Sequence, residues 1–362
     1  MANTNTVNYA EVWQPDLLEI MRQNTMCTPF ITANVRWLDA KTFHFTRMSV
    51  GGYKNHDRDG GWNRGTFTQA DVPFTVAHDR DIEFLVDRAD VDESNATASV
   101  QNISQTFVQT QASPEADALF FSKVSAAAKA VDGLHSATAR AGFTKENIYP
   151  KLKTMLGAGK LRRYKAKGAL IMYLASSLMD LLEQSTDFTR CIEMTSVADG
   201  GAGMETRVTG IDGVPVMEVI DDEMFCDAFD FTAADGGFEP LTPVYEKTAD
   251  TALAKGKTYY TKSGEAYTAV AAPKVADIGA YYELKTGSCP INVLIASPLT
   301  TKLVPKISSI YFFAPGAHTE GDGYLYQNRA LSDVFVFPNG KDGVVDSVYV
   351  DTDVTPAAGS VT

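Results

Sequence analysis

Residues 41 to 86 hold two alternating apolar runs that cannot build a core on their own. Phe43, Phe45 and Arg47 alternate with His44, Thr46 and Met48, and Phe67, Val72, Phe74 and Val76 mark a return strand. The connection between them, VGGYKNHDRDGGWNRGT, is polar, glycine-rich and too poor in apolar side chains to join a core. An isolated two-stranded ribbon is marginal in water. Such an arm needs a supporting surface, and a neighbouring subunit is the natural one.

The next stretch, His78 to Val131, reads as a strand that turns into a long helical spine. Ile82, Phe84 and Val86 alternate against polar partners, so one face is buried. Asp90 or Asp92 can cap a helix in which Val100, Ile103 and Phe107 share one side. Pro114, with Ser113 as its cap and Glu115 and Asp117 in the first turn, predicts the start of a second helical segment. Its apolar face is Leu119, Phe120, Val124, Ala127, Ala128 and Val131.

At 362 residues the chain can bury a sizeable core and hold two or three units. There is no apolar run of membrane-spanning length, and MANTNTVNYAEVW has neither the basic nor the apolar region of a signal peptide, so a soluble, cytosolically made chain is expected. Cys27, Cys191, Cys226 and Cys289 are scattered without zinc or disulfide spacing and are expected as small buried side chains. A net charge of -13 argues against a protein whose main work is gripping nucleic acid. One basic run, GKLRRYKAKG with Lys160, Arg162, Arg163, Lys165 and Lys167, departs from that balance. It reads first as a solvated loop, second as a partner for Asp221, Asp222 and Glu223 of an adjacent copy, and third as a nucleic-acid contact.

The remaining elements follow in order. Residues 1 to about 38 look like an extended arm with one short helix opened by Pro15, with Leu17, Leu18 and Met21 on its apolar side. Beyond a small-residue loop at 133 to 142, Lys145 to Leu156 reads as a helix, Ala169 to Ala175 as a buried strand, and Ser176 or Ser177 as the cap of a helix through Leu178, Leu181 and Leu182. A glycine-rich turn at Asp199 to Gly203 precedes METRVTGI and VPVMEVI, strands joined by the tight-turn pair Asp212-Gly213. Residues 241 to 286 change character, with Tyr245, Tyr259, Tyr260, Tyr267, Tyr281 and Tyr282 among Thr, Ala and turn signals, and suggest a small all-β insert. Those tyrosines suit either a tiny core or a sugar- or protein-binding face. Ile291 to Ala296 and Ile307 to Phe313 read as strands, Asp333 precedes a strand from Val334 to Phe337, Val344 to Val350 forms the last, and the tail after Asp351 is frayed.

Sequence signatures of chemistry are missing: no GxSxG, HExxH, phosphate-binding loop or GxGxxG follows a strand. His44, His56, His78, His135 and His318 stand alone, and Asn55, Asp57, Asp59 and Gly60 start a calcium-loop pattern that has Thr66 where a Glu is needed. No catalytic residue, cofactor or metal is expected.

The order of arm, glycine-rich ribbon, DRDIEFLVDRADVDESN, helix, SPEADALFFSKV, a middle α/β unit and FFAPGAHTEGDGYLYQNRALSDVFVF resembles the major capsid proteins of tailed double-stranded DNA bacteriophages. The most specific pieces are Asp79-Arg80 through Asp92-Glu93 followed by Pro114, Glu115 and Asp117, and the late set Pro315, Asp322, Tyr326, Arg329, Asp333 and Phe335. The resemblance covers nearly the whole chain outside the insert. It implies an α+β capsid fold divided into an N-terminal arm (1-38), an E-loop ribbon with flanking strands (39-86), a P-domain spine helix (87-135), an A-domain (136-240), a β insertion (241-286), an A-domain return (287-305), P-domain return strands (306-350) and a flexible tail (351-362).

In that family the ribbon reaches over an adjacent subunit, which would place Tyr53, Lys54, Arg58, Trp62 and Arg64 at an intersubunit contact. The implied function is structural: copies form hexamers and pentamers that close an icosahedral head around double-stranded DNA, without sequence-specific binding, without a membrane and without enzymatic turnover. A separate scaffolding protein and a portal are the implied partners, and the implied location is the virion, assembled in the host cytoplasm. Some members crosslink a ribbon Lys to a neighbour's Asn; Lys54 and Asn339 could be cast so, but any Lys and Asn would serve, and crosslinking is not expected. Two other readings stay open: a cellular nanocompartment shell of the same fold, and a monomeric binding module that uses the tyrosine-rich insert.

Overall fold

The computed structural model describes residues 25–32, 42–56, 62–89, 100–185, 210–232, 237–254, 257–264, 266–317, 322–339 and 344–356. The arm helix at Pro15, the caps Asp90 and Asp92, the turn at Asp199 to Gly203 and Cys191 lie outside those residues.

In chain order the strands are β1 (Thr42–Val50), β2 (Phe67–Thr75), β3 (His78–Asp87), β4 (His135–Ala137), β5 (Ile171–Ala175), β6 (Gly210–Ile211), β7 (Val214–Val219), β8 (Phe229–Asp230), β9 (Glu239–Pro240), β10 (Val244–Lys247), β11 (Tyr260–Ser263), β12 (Ala266–Ala269), β13 (Tyr282–Thr286), β14 (Ile291–Ala296), β15 (Thr301–Phe313), β16 (Gly323–Val336) and β17 (Val348–Thr352). β1 and β2 form the expected antiparallel ribbon, in unbroken register from Thr42 opposite Thr75 to Val50 opposite Phe67. β15, β16 and β3 make a long antiparallel three-stranded sheet. A mixed six-stranded sheet runs β4-β17-β14-β5-β7-β6. Its middle strands β17, β14 and β5 are buried at every residue, which is why β14 and β5 read as near-continuous apolar runs rather than alternations.

The spine runs from Val100–Phe107 into Ser113–Lys129. The expected cap at Ser113 is not one. Ser113 has helical angles, and its N–H reaches back five residues to the Val108 carbonyl, closing a widened π turn over Val108–Ala112. Pro114 cannot donate a hydrogen bond and crowds the turn before it, so the wider turn is what lets the helix pass through it unbroken. Of the expected apolar face Leu119, Phe120, Val124 and Ala128 are buried, joined by Phe121, while Ala127 is half-buried and Val131 lies past the helix end. Phe120 and Phe121 meet Tyr173 of β5 edge-on at 5.9 and 5.6 Å, and Phe121 meets Phe225 at 4.9 Å.

Other local expectations need correction. Ser176 is the first helical residue of Ser176–Glu183 and donates to Glu218 instead of capping, so neither it nor Ser177 is the cap. The helix expected from Lys145 starts at Ile148. Asp333 lies inside β16 rather than ahead of a strand. The last strand spans Val348–Thr352 and pairs with β14 and β4, so 348–350 join the six-stranded sheet and not β15 and β16, while Asp351 and Thr352 are buried strand rather than tail. The basic run is a short helix, Leu161–Lys165, because Leu161 and Tyr164 are buried beneath it.

Residues 25–32 dock on the spine through one carboxylate. The Met26 N–H donates to both oxygens of Asp117 at 2.9 and 3.0 Å, the Cys27 N–H donates at 3.2 Å, and the Tyr173 hydroxyl donates to the Met26 carbonyl at 2.8 Å. Phe30 is buried against Phe120, and Thr32 N–H reaches Leu303. Burial pushes the Asp117 acid up to about 6, against the pull of the three amide bonds. A raised carboxylate favours the protonated form in the docked state, so its stabilisation is complete below the ordinary carboxylate range and is lost as pH rises through about 6. Exchange of the Met26 and Cys27 amides, corrected for intrinsic rate, is therefore expected to show greater protection at pH 5 than at pH 7.5. Asp117→Asn should flatten that dependence, and Asp117→Ala, which strands two buried amides, should cost roughly 1–3 kcal/mol.

Candidate assembly surfaces

The ribbon is fixed at its base and bare at its tip. At the base, Phe43 meets Phe335 edge-on at 5.1 Å and Phe74 meets Phe337 at 5.2 Å, over buried Val76, Val304 and Leu331. Toward the tip the pairing continues through the Gly51 N–H to the Thr66 carbonyl, 2.8 Å. Lys54 Nζ then donates to the Arg64 carbonyl at 3.1 Å, and the Asn63 amide donates to the Asn55 carbonyl at 2.6 Å. These bonds give the tip a shape without giving it a core. Met48, Val50, Tyr53, Trp62 and Phe67 are all exposed, Trp62 at 94%. Five large apolar groups on one ribbon exceed the scatter expected of a surface, and each is worth about 1.5–3 kcal/mol when covered. Of the expected contact residues, Tyr53, Lys54, Trp62 and Arg64 share this tip, while Arg58 lies outside the described residues.

The late motif set occupies β16 and the turn before it, and most of it is internal structure. Tyr326 is buried against Val86 and stacks on Phe84 at 6.1 Å. Arg329 makes a two-pronged bond to Asp79 at 3.0 and 2.9 Å, half exposed and therefore screened by solvent. Asp333 is buried, accepting the Ala77 N–H at 3.1 Å and the Lys123 ammonium at 3.2 Å, and so joins β16 to the entry of β3 and to the spine. Phe335 belongs to the ribbon base. Pro315 sits in a turn with Gly316 at φ 81°, and Asp322 is exposed at the other side of that connection.

Two further surfaces stand out. Ile310, Tyr311 and Phe312, at the far end of β15, are all more than half exposed. Their run of apolar residues reads as a buried strand, and only the end of the sheet running out beyond its support exposes it. The basic helix is the second: Lys160, Arg162, Arg163 and Lys167 are exposed, whereas Lys165 shares Asp212 with Lys153. The acidic stretch expected to meet it on another copy is partly engaged within the chain, since Asp222 accepts from Arg140 at 2.8 Å.

The insert is the four-stranded sheet β10-β13-β11-β12. Its tyrosines pack on one another, with Tyr245 stacked on Tyr267 at 3.9 Å and Tyr282 edge-on to Tyr267 at 5.3 Å, and Tyr259, Tyr260 and Tyr281 are buried. The Tyr260 hydroxyl donates to the Val354 carbonyl at 2.7 Å and fastens the insert to the body. His78 is not isolated: it lies 2.9 Å from Glu115, which Arg80 also meets. Cys27, Cys226 and Cys289 are buried, and burial holds their thiols well above the ordinary range. Among the described residues no group of three His, Cys, Asp or Glu side chains could hold a metal, and no helix is long and apolar enough to cross a membrane.

No protein-family model and no curated protein matches this sequence. Solved structures do. The mature capsid of bacteriophage PhiM1 aligns over 96% of this chain and 92% of its own at a TM-score of 0.56 with 13% identity. The capsid of cyanophage P-SCSP1u aligns over 98% and 97% at 0.52 with 10% identity, and a chain of Microbacterium phage Oxtober96 over 94% and 95% at 0.50 with 9% identity. The α+β fold expected from the sequence is the one observed: this is the tailed-phage capsid fold, shared nearly end to end.

The two ends of the ribbon should respond differently to truncation. Phe43→Ala at the base is expected to cost about 3–5 kcal/mol in urea unfolding, and Trp62→Ala at the tip no more than about 0.5 kcal/mol.

Proposed function

We propose that this chain is a major capsid protein whose copies form hexamers and pentamers and close an icosahedral phage head around double-stranded DNA. The observation that carries the reading is the ribbon, anchored by four phenylalanines and bare over five large apolar groups, in a chain with the capsid fold. The tip residues Tyr53, Lys54, Trp62 and Arg64, with Arg58, lie over an adjacent copy in this proposal. The ribbon acts as the E-loop, the spine with β3, β15 and β16 as the peripheral domain, and the six-stranded unit with its insert as the axial domain. Obligate contacts of this kind bury on the order of 2,000–5,000 Å². Stability of each copy then rises with the concentration of its neighbours.

The work proposed is assembly and containment, not turnover. A scaffolding protein and a portal are the further partners proposed, and the virion, assembled in the host cytoplasm, is the location. The acid balance of the chain suits a container that leaves DNA free to be packed. Crosslinking through Lys54 and Asn339 is not part of the proposal. Lys54 is bonded along its own ribbon, and Asn339 donates to the Tyr164 hydroxyl at 3.3 Å.

Negative-stain microscopy and sedimentation of the expressed protein test the reading. Closed shells, tubes or rings are expected, and replacing residues 51–66 by a short glycine turn should leave a folded chain that no longer assembles. A wild-type protein that stays monomeric at high concentration would refute it. Shells that enclose a protein cargo and no DNA would favour the nanocompartment instead.

A further inference from the structure

The basic helix is a rigid display rather than a loose charge run. Gly159 and Gly168 bound it in left-handed conformations, φ 51° and 64°, and a Cβ at Gly159 would meet Leu134 at 2.8 Å. Beneath it Leu161 and Tyr164 are buried, and the Tyr164 hydroxyl donates to buried Asp346 at 2.7 Å. Arg162 lies against Gly157, at the C-terminal end of helix Ile148–Leu156, where cations are favoured. Asp212 sits between the ammonium groups of Lys153 and Lys165, one carboxylate for two cations. Lys160, Arg162, Arg163 and Lys167 remain exposed with no ion pair among the described residues, on a chain of net charge -13.

The same unit carries the opposite sign nearby. Helix Ser176–Glu183 buries Leu178, Met179 and Leu182 and turns Asp180 and Glu183, one helical turn apart, to solvent. Neither carboxylate has an ion-pair partner among the described residues. Helix Ile148–Leu156 packs against both the basic and the acidic helix, and among the described residues no ion pair joins those two. A ring of identical copies is closed by a head-to-tail contact, which needs two different surfaces of one subunit to match.

We infer that the basic helix Leu161–Lys165 of one copy docks on the Asp180 and Glu183 face of the next copy around the ring. The contact selects the head-to-tail register, since like charges brought together in a wrong register repel, and it contributes to the rate and specificity of assembly more than to its final strength. Asp221 to Glu223 is the poorer counterpart, because Asp222 is held by Arg140 and Asp221 also has a partner within its own chain.

This inference rests on the assembly reading, and charge reversal separates the two. In the full-length protein, Arg162→Glu with Arg163→Glu, and separately Asp180→Lys with Glu183→Lys, should each raise the protein concentration needed for assembly about tenfold or more. The four changes together should restore it to within about threefold of wild type, and higher salt should narrow every difference. Circular dichroism checks each fold, and the corresponding Gln and Asn variants replace any that misfolds. Wild-type assembly that is indifferent to either pair, or single defects that the combination does not repair, overturns the inference alone. Loss of duplex DNA binding with normal assembly in the Arg162 and Arg163 variant also overturns it, in favour of a nucleic-acid contact. A wild-type chain that never assembles overturns both readings.

Discussion

The packing of one helix on one sheet underlies everything else in this molecule. Phe120, Phe121, Val124 and Ala128 of the spine are buried against the apolar middle of the six-stranded sheet, with Tyr173 and Phe225 set edge-on between them. Cutting Phe120 or Phe121 to Ala would cost about 3–5 kcal/mol, so the spine is a fixed beam. Asp117 on that beam holds residues 25–32, and Lys123 on it reaches Asp333 of β16. The long three-stranded sheet is therefore referenced to the same helix as the six-stranded one. The ribbon is tied in one step further out, through Phe335 and Phe337.

Large apolar groups stand exposed together at the ribbon tip and at the far end of β15. The ribbon tip and the end of β15 are held by hydrogen bonds between their paired strands, and their large apolar groups stay exposed. A monomer gains little by holding Trp62 or Phe312 in water. A lattice gains from both, because each covered side chain then adds the same apolar stabilisation that the core supplies inside one chain. The bare groups lie at the ribbon tip and the far end of β15, in a chain whose fold is that of the phage capsid structures it aligns with.

Much of this was legible before any coordinates. The ribbon's two strands and its coreless tip follow from alternation and glycine content, and they came out in register. The buried strands β5 and β14, the Asp212-Gly213 hairpin, with both residues at positive φ, and the all-β insert were readable for similar local reasons. The errors also share a cause. Ser113 and Pro114 carry the local signals of a helix start, but packing on the sheet keeps the helix going and a π turn absorbs the proline. Asp333 looks like a polar break between strands, yet the Lys123 ammonium and the Ala77 amide let it sit buried inside one.

The sequence by itself determined which segments could be strand, helix or turn, that the ribbon tip could not build a core of its own, and the class of fold through the order of its motifs. Those properties live in periodicity and in the chemistry of adjacent residues, which a chain displays without folding. Tertiary structure alone decided that Val348–Thr352 completes the six-stranded sheet and that Arg329 and Asp333 are ties within the chain. Each of those depends on residues dozens to hundreds of positions apart, and only the burial of a shared core brings such residues together.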